Sequence, residues 1–291
     1  MKKYKICKIL LVILAIFLCV AFYELLGICV AYKKQPEVSN TTKKETKNGS
    51  WNECSENTER AVIIEKNPEA LLQRVRLIKN AKKEIILSTF AFQSDESGKL
   101  ILGALHDAAD RGVHIRLLVD GMESWIDMEG NPYFYGLSSH ENVEIKLYNK
   151  ANPLKPWKMM GRMHDKYLIA DGKRYILGGR NTYNYFLGDF PGHKNYDRDV
   201  LVVCDEPEKE NSVNQLLEYF ETIWEQEDSG YFHDNKKLAN RKSVKNAVLE
   251  LQNGYQKYFE ENKERICDTD YTDETFETEK IALVSNPIHT G

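Results

Sequence analysis

Arg162 to Asn181 reads RMHDKYLIADGKRYILGGRN. Two short apolar runs within it, Tyr167–Ala170 and Tyr175–Leu177, flank Asp171-Gly172, a dipeptide that favours a tight turn between strands. The segment predicts a β-hairpin. Its ends carry side chains with chemistry: His164 and Lys166 lie two apart, which in a strand puts both on one face. A histidine that titrates near neutrality can attack or relay a proton, and a lysine beside it adds fixed positive charge. That pairing suits a phosphoryl group. Gly178 and Gly179 allow close backbone approach, and Asn181 can donate its amide to a phosphate oxygen. Charge agrees, because residues 143–200 hold 11 Lys or Arg against 6 Asp or Glu. An anionic substrate is the simple inference.

Taken singly, each feature has an ordinary explanation. A histidine near a lysine is common, Asp-Gly marks any hairpin, and a basic stretch is often a solvated face. Five residue types at fixed offsets are a different matter.

Upstream, Pro68–Ala81 has Leu71, Leu72, Val75 and Ile78 at helical spacing, and Glu84–Phe92 (EIILSTFAF) reads as a buried strand. Leu100–Ala109 is again helical and closes at Arg111-Gly112, with strands at Val113–Val119 and Val143–Tyr148. Downstream, a strand runs from near Asp199 to Cys204 and a helix over Asn211–Gln226. Strands alternating with helices predict an α/β layer fold, a mixed sheet flanked by helices, over residues 63–230.

The amino terminus differs. Ile9–Tyr32 is apolar except for Glu24, and 24 residues at about 1.5 Å each reach roughly 36 Å, more than the ~30 Å hydrocarbon core. This predicts a transmembrane anchor over residues 1–33, with a cleaved signal peptide as the rival. Lys2, Lys3, Lys5 and Lys8 before it and Lys33 and Lys34 after it lean toward an amino terminus inside and a lobe outside the cytoplasm. Residues 34–62 read as a polar linker. Residues 231–291 read as a polar extension, in which Glu264–Lys280 carries seven acids against two bases and predicts a solvated loop. A strand-like piece, Lys280–Ser285, lies six residues from the last residue and reads as the start of a second lobe that is absent.

The 291 residues carry a formal charge of −4, 42% hydrophobic and 29% charged residues, which excludes a disordered chain, a polytopic membrane protein and a wholesale nucleic-acid binder. Of six cysteines, Cys7, Cys19 and Cys29 lie in or beside the apolar segment and Cys54, Cys204 and Cys267 are scattered. No pair has metal-ligand spacing, so cysteine usage leaves the compartment open.

The hairpin segment resembles the HKD motif of the phospholipase D superfamily, H-x-K, four residues, D, six residues, G-[SG]-x-N, matched at His164, Lys166, Asp171, Gly178, Gly179 and Asn181. The Gly-Gly form, Arg162-Met163, Tyr185-Phe186 and Asp197-Arg198-Asp199-Val200 are most similar to the first lobe of bacterial cardiolipin synthases of the C type. The resemblance implies a two-step phosphatidyl transfer in which His164 attacks phosphorus and carries a phosphohistidine. Lys166 and Asn181 would hold the nonbridging oxygens, and Asp197, with Asp199 as second candidate, would orient the histidine. It implies a supporting role for Asp171 at the turn, no metal and no cofactor, and phospholipid and membrane as partners.

The superfamily site needs two such motifs, one histidine as nucleophile and one as general acid. None of His106, His114, His140, His193, His233 and His289 begins a second H-x-K. A homodimer, a separate second lobe and an inactive relic are the three explanations. The leading expectation is an anchored, cardiolipin synthase-like phosphatidyltransferase. An anchored homodimeric phosphodiesterase acting on nucleic acid is the alternative, and an inactive truncated half the third. Among the aromatics, Trp125, Trp157, Tyr133, Phe134 and Tyr135 stand out. Packing in the core and, for Trp157, contact with acyl chains near the site are both open.

Overall fold

The computed structural model describes residues 2–33, 43–44, 59–158, 161–204, 211–233, 236–278 and 281–285. Most of the expected linker, Cys54, Lys280 and the last six residues lie outside the described residues.

Helix α1 (Lys2–Lys33) precedes strand β1 (Glu59–Ile64), helix α2 (Asn67–Asn80), β2 (Glu84–Thr89), α3 (Glu96–Asp110) and β3 (His114–Asp120). Short helices α4 (Gly121–Asp127) and α5 (Pro132–Ser138) lead to β4 (Val143–Tyr148), then to a 3₁₀ turn at Pro156–Lys158. The hairpin β5 (Tyr167–Ala170) and β6 (Arg174–Gly178) follows, then β7 (Asp199–Val203), α6 (Ser212–Trp224) and β8 (Ser229–Tyr231). The chain ends in α7 (Lys236–Ala239), α8 (Lys242–Glu261), α9 (Lys263–Cys267) and β9 (Phe276–Thr278).

The strands form one mixed sheet of nine in the order β8-β4-β3-β2-β5-β6-β7-β1-β9. Only β2, β3 and β4 run parallel to their neighbours in that set, and β5 joins β2 antiparallel, with Tyr167 opposite Ser88. Strand alternation divides the apolar residues between two cores. Ile85, Leu87, Ile115, Leu117, Val119 and Leu168 face the layer of α2, α3, α5 and α8, while Ile86, Leu118, Tyr167, Ile169 and Val202 face α6 through Leu216 and Phe220. The expected α/β lobe is present.

Three expectations need correcting. The boundary at residue 63 falls inside β1, whose Glu59 is buried and accepts from the Ser212 hydroxyl at 2.7 Å. The extension beyond residue 231 packs on the lobe: Val244, Ala247, Leu251, Tyr255 and Phe259 of α8 are buried, at spacings of three and four that its polar composition obscured. The acidic run is partnered, because Arg76, itself buried, binds Glu274 at 2.9 Å and Asp268 at 3.3 Å, and Arg60 binds Glu277 at 3.1 Å. Charge repulsion along the run is thus relieved by arginines 192 to 217 residues upstream in sequence.

The expected strand at Lys280–Ser285 is absent from its described part, Ile281–Ser285. The sheet edge at β1 is already taken by β9, and the segment instead crosses α6, where the Leu283 N–H donates to Gln215 at 2.9 Å.

Helix α1 is the one described helix long and apolar enough to cross a membrane, over Tyr4–Ala31. Its Tyr23 hydroxyl donates to the Leu154 carbonyl at 2.9 Å. A Cβ on Gly27 would lie 2.3 Å from the Pro156 ring, so glycine is what lets the helix touch the lobe there.

Candidate active site

The parallel strands set the position of the site. His164 precedes β5, whose start pairs with the end of β2, so the histidine sits at the edge where β2, β3 and β4 end. Ligands bind at this edge in many open α/β sheets.

His164 is exposed and its ring meets Phe90 edge to face at 4.6 Å. Partial burial, and next the Lys166 charge, hold its pKa below the usual 6.5. Lys166 is buried, its ammonium donates to the His164 carbonyl at 2.5 Å, and burial lowers its pKa to about 8 against the opposing pull of Asp165 and Asp197. The ladder extends one residue beyond β5, since Gly178 N–H donates to the Lys166 carbonyl at 3.1 Å. The His164 imidazole and the Lys166 ammonium share one edge of the sheet, on a cleft of about 240 Å³ lined also by Asp165, Gly178, Tyr219 and Leu283–Ser285.

Asn181 is buried. Its Oδ1 accepts from the Ala91 N–H at 3.2 Å, which leaves the NH₂ end as the donor. Asp197 accepts from the Arg198 N–H at 2.7 Å and raises the Lys166 pKa. No hydrogen bond between Asp197 and His164 is found among the described residues.

Asp199 departs further from expectation. It is buried between Arg74 at 2.9 Å and Arg180 at 3.2 Å, and Arg180 also donates to Asn67 and to the carbonyls of Ile64 and Glu65. That network fastens β7 to α2 and its start. The glycine pair makes room for the two acids: a Cβ on Gly178 would meet Asp199 at 2.1 Å, and one on Gly179 would meet Asp197 at 2.0 Å. Asp171, at φ +54°, accepts the backbone N–H groups of Lys82, Lys83 and Glu84 at 2.7–3.1 Å, at the opposite end of β5 from His164. It holds the entry to β2.

Sequence reasoning missed Asp120. Buried at the end of β3, it accepts from the N–H groups of Met122, Glu123 and Met163 and binds Arg162 at 2.7 Å. It therefore holds the two residues that lead into His164. An acid closing the apolar run VHIRLLV is a visible signal, because an apolar strand rarely ends on a buried carboxylate without a partner. Asp165, whose pKa burial raises, accepts from the Tyr219 hydroxyl at 2.8 Å and ties the segment to α6. Among the described residues no group of three or more His, Cys, Asp or Glu could hold a metal ion.

Residues 74–224 match the family described as "Cardiolipin synthase, PLD-like domain". The chain is 29% identical over 171 residues to cardiolipin synthase C of Escherichia coli, covering 54% of this chain and 34% of that protein. It is 30% identical over 212 residues to an uncharacterized protein of Helicobacter pylori, covering 68% and 39%. The chain thus spans about two fifths or less of these relatives' length. Among solved structures, phosphatidylserine synthase of Haemophilus influenzae has a TM-score of 0.49 at 18% identity, covering 76% of this chain and 48% of that one. NucT of Helicobacter pylori has 0.47 at 18% identity, covering 60% and 99%.

Proposed function

The chain belongs to the phospholipase D superfamily, in the family of cardiolipin synthase PLD-like domains, and from that premise we propose that it transfers phosphatidyl groups between alcohols at a membrane through a covalent intermediate on His164. In the first step the neutral imidazole forms a P–N bond and the P–O bond to the departing alcohol breaks. That alkoxide takes a proton from an acid. In the second step an acceptor alcohol gives its proton to the same group and attacks phosphorus, releasing His164. The lysine ammonium and the Asn181 NH₂ neutralise charge on the nonbridging oxygens, and burial of Lys166 spares its charge from competing water.

One observation carries the reading: an exposed imidazole beside a buried ammonium two residues away, on a shared cleft. The general acid comes from a second motif, on another copy of this chain or on a separate lobe, because His164 is the one histidine among the residues lining the cleft. Helix α1 keeps the lobe at the bilayer that holds the substrate.

The test is incubation of the full chain with phosphatidylglycerol and separation of the lipids. Cardiolipin with free glycerol, or phosphatidic acid where water is the acceptor, is expected from wild type and is expected to vanish in His164→Ala. Identical lipid profiles from the two proteins refute the reading for this chain alone. Metal-independent DNA cleavage that Lys166→Ala abolishes would move the assignment to the nucleic-acid branch.

A further inference from the structure

The part of the loop after β4 that spans Asn149–Lys158 is tied by side-chain hydrogen bonds and carries an apolar tip. Asn149, at φ +50°, donates its side-chain amide to the carbonyls of Lys158 and Gly161 at 2.5 and 2.7 Å, closing the loop on itself. Within it, the Asn152 side chain accepts from the Leu154 N–H at 2.9 Å, and Lys158 pairs with Asp228 at 3.0 Å. Leu154 nevertheless stands 77% exposed, and Pro153, Lys155 and Trp157 are exposed beside it. A loop held this firmly has no internal reason to leave leucine and tryptophan in water.

Beside it, α4 projects Trp125 and Ile126, 66% and 65% exposed. The first residue of α4 packs on the end of β4, where a Cβ on Gly121 would meet the Tyr148 carbonyl at 2.6 Å, so both projections leave the same edge of the sheet as His164.

The apolar helix indicates what covers them. Residues Ala21, Glu24, Gly27, Ile28 and Ala31 are the covered ones in its carboxyl-terminal half, one face at spacings of three and four; Gly27 on this face meets Pro156, and the neighbouring Tyr23 hydroxyl donates to the Leu154 carbonyl. The 28 residues Tyr4–Ala31 extend about 42 Å against a hydrocarbon core of ~30 Å. Lys5 and Lys8 keep the first turns of that span out of the hydrocarbon, so a ~30 Å core counted from Ile9 closes near Ile28, and the carboxyl-terminal end of the docked face, Ile28–Ala31, reaches the interfacial layer. Tryptophan is enriched at that depth, and Lys155 adds a charge suited to anionic headgroups.

We propose that the Asn152–Lys158 loop and the Trp125-Ile126 pair form a wedge seated in the interfacial layer of the bilayer that α1 spans, turning the His164 edge toward the lipid headgroups. The proposal rests on α1 lying in the membrane and does not need the reaction at His164.

The test uses the full chain carrying Trp51→Phe, reconstituted in phosphatidylcholine–phosphatidylglycerol vesicles whose acyl chains are unlabelled or brominated near the headgroup. Expected is a loss of tryptophan emission with brominated lipid that disappears when Trp125→Phe and Trp157→Phe are added, since the remaining Trp224 is buried in the core. Equal quenching with and without those two residues overturns the proposal. A separate reporter, Phe17→Trp on the three-substitution background, reads α1 against lipid brominated at mid-chain. If it is quenched while Trp125 and Trp157 are not, the wedge fails and the anchor stands. If none is quenched, both fail.

Discussion

Arg180 and Asp199 meet at 3.2 Å with both side chains wholly shielded from solvent, and Arg74 reaches the same carboxylate from α2. A carboxylate that the motif places near the reacting histidine is therefore committed to holding β7 against the start of α2. Removing it leaves two guanidinium groups buried without their counter-charge. Asp199→Asn is expected to cost about 3–5 kcal/mol of stability, read as a lowered denaturation midpoint. Unchanged stability with lost activity would instead return Asp199 to the chemistry.

His164 is exposed and its ring has one aromatic neighbour, so truncation leaves the fold intact. We expect His164→Ala to keep the wild-type melting temperature and to lower turnover by on the order of 10³-fold or more, as for other nucleophile deletions. Mass spectrometry of quenched wild-type reactions should find the phosphatidyl adduct on the peptide containing His164.

The two titrations set opposite limbs of the pH profile. The imidazole must be neutral to attack, and because its pKa lies below 6.5, the acid limb of kcat/KM should fall below 6.5. The lysine must stay protonated, and with its pKa near 8 activity should decline as pH rises through about 8. Lys166→Arg, whose guanidinium does not deprotonate in this range, should remove the alkaline limb in whatever activity it retains. A limb near the ordinary lysine value would contradict the burial argument.

Asp197 raises the Lys166 pKa and makes no hydrogen bond to His164 among the described residues. Neutralising it should therefore move the alkaline limb to lower pH and leave the acid limb in place. Asp197→Asn measured over a pH series separates this from the orienting role that the motif implies, which would move the acid limb.

Asp171 accepts three backbone N–H groups at the start of β2, so Asp171→Ala should destabilise the lobe by about 2 kcal/mol or more. Its pH profile should match wild type in the folded fraction. A changed profile would place the residue closer to the chemistry than its position at the far end of β5 allows.

The HKD hairpin was legible because its signals are local. Asp-Gly sets the turn, two apolar runs alternate around it, and His164 and Lys166 follow at fixed offsets. The strands of the central sheet were legible for the same reason. The polar carboxyl-terminal segments were not, since α8 buries five residues in twenty and its apolar face is visible only once α3 and α5 are there to cover it. Equally hidden were β1 and β9, short strands whose pairing joins residues more than two hundred positions apart.

Within the site, residue identity and spacing along the chain were enough to single out the histidine and the lysine that the structure places on one cleft, because these depend on side-chain chemistry and short-range geometry. The different surroundings of the carboxylates are visible only in the fold. Asp197 and Asp199 stand two apart in sequence, yet one accepts an exposed hydrogen bond from the Arg198 backbone and the other is buried between two arginines. Asp120, distant in sequence, holds the segment that leads into His164. A carboxylate acts on whatever charge lies within a few ångströms of it, and that neighbour is brought there by strand order and helix packing, which no local pattern records.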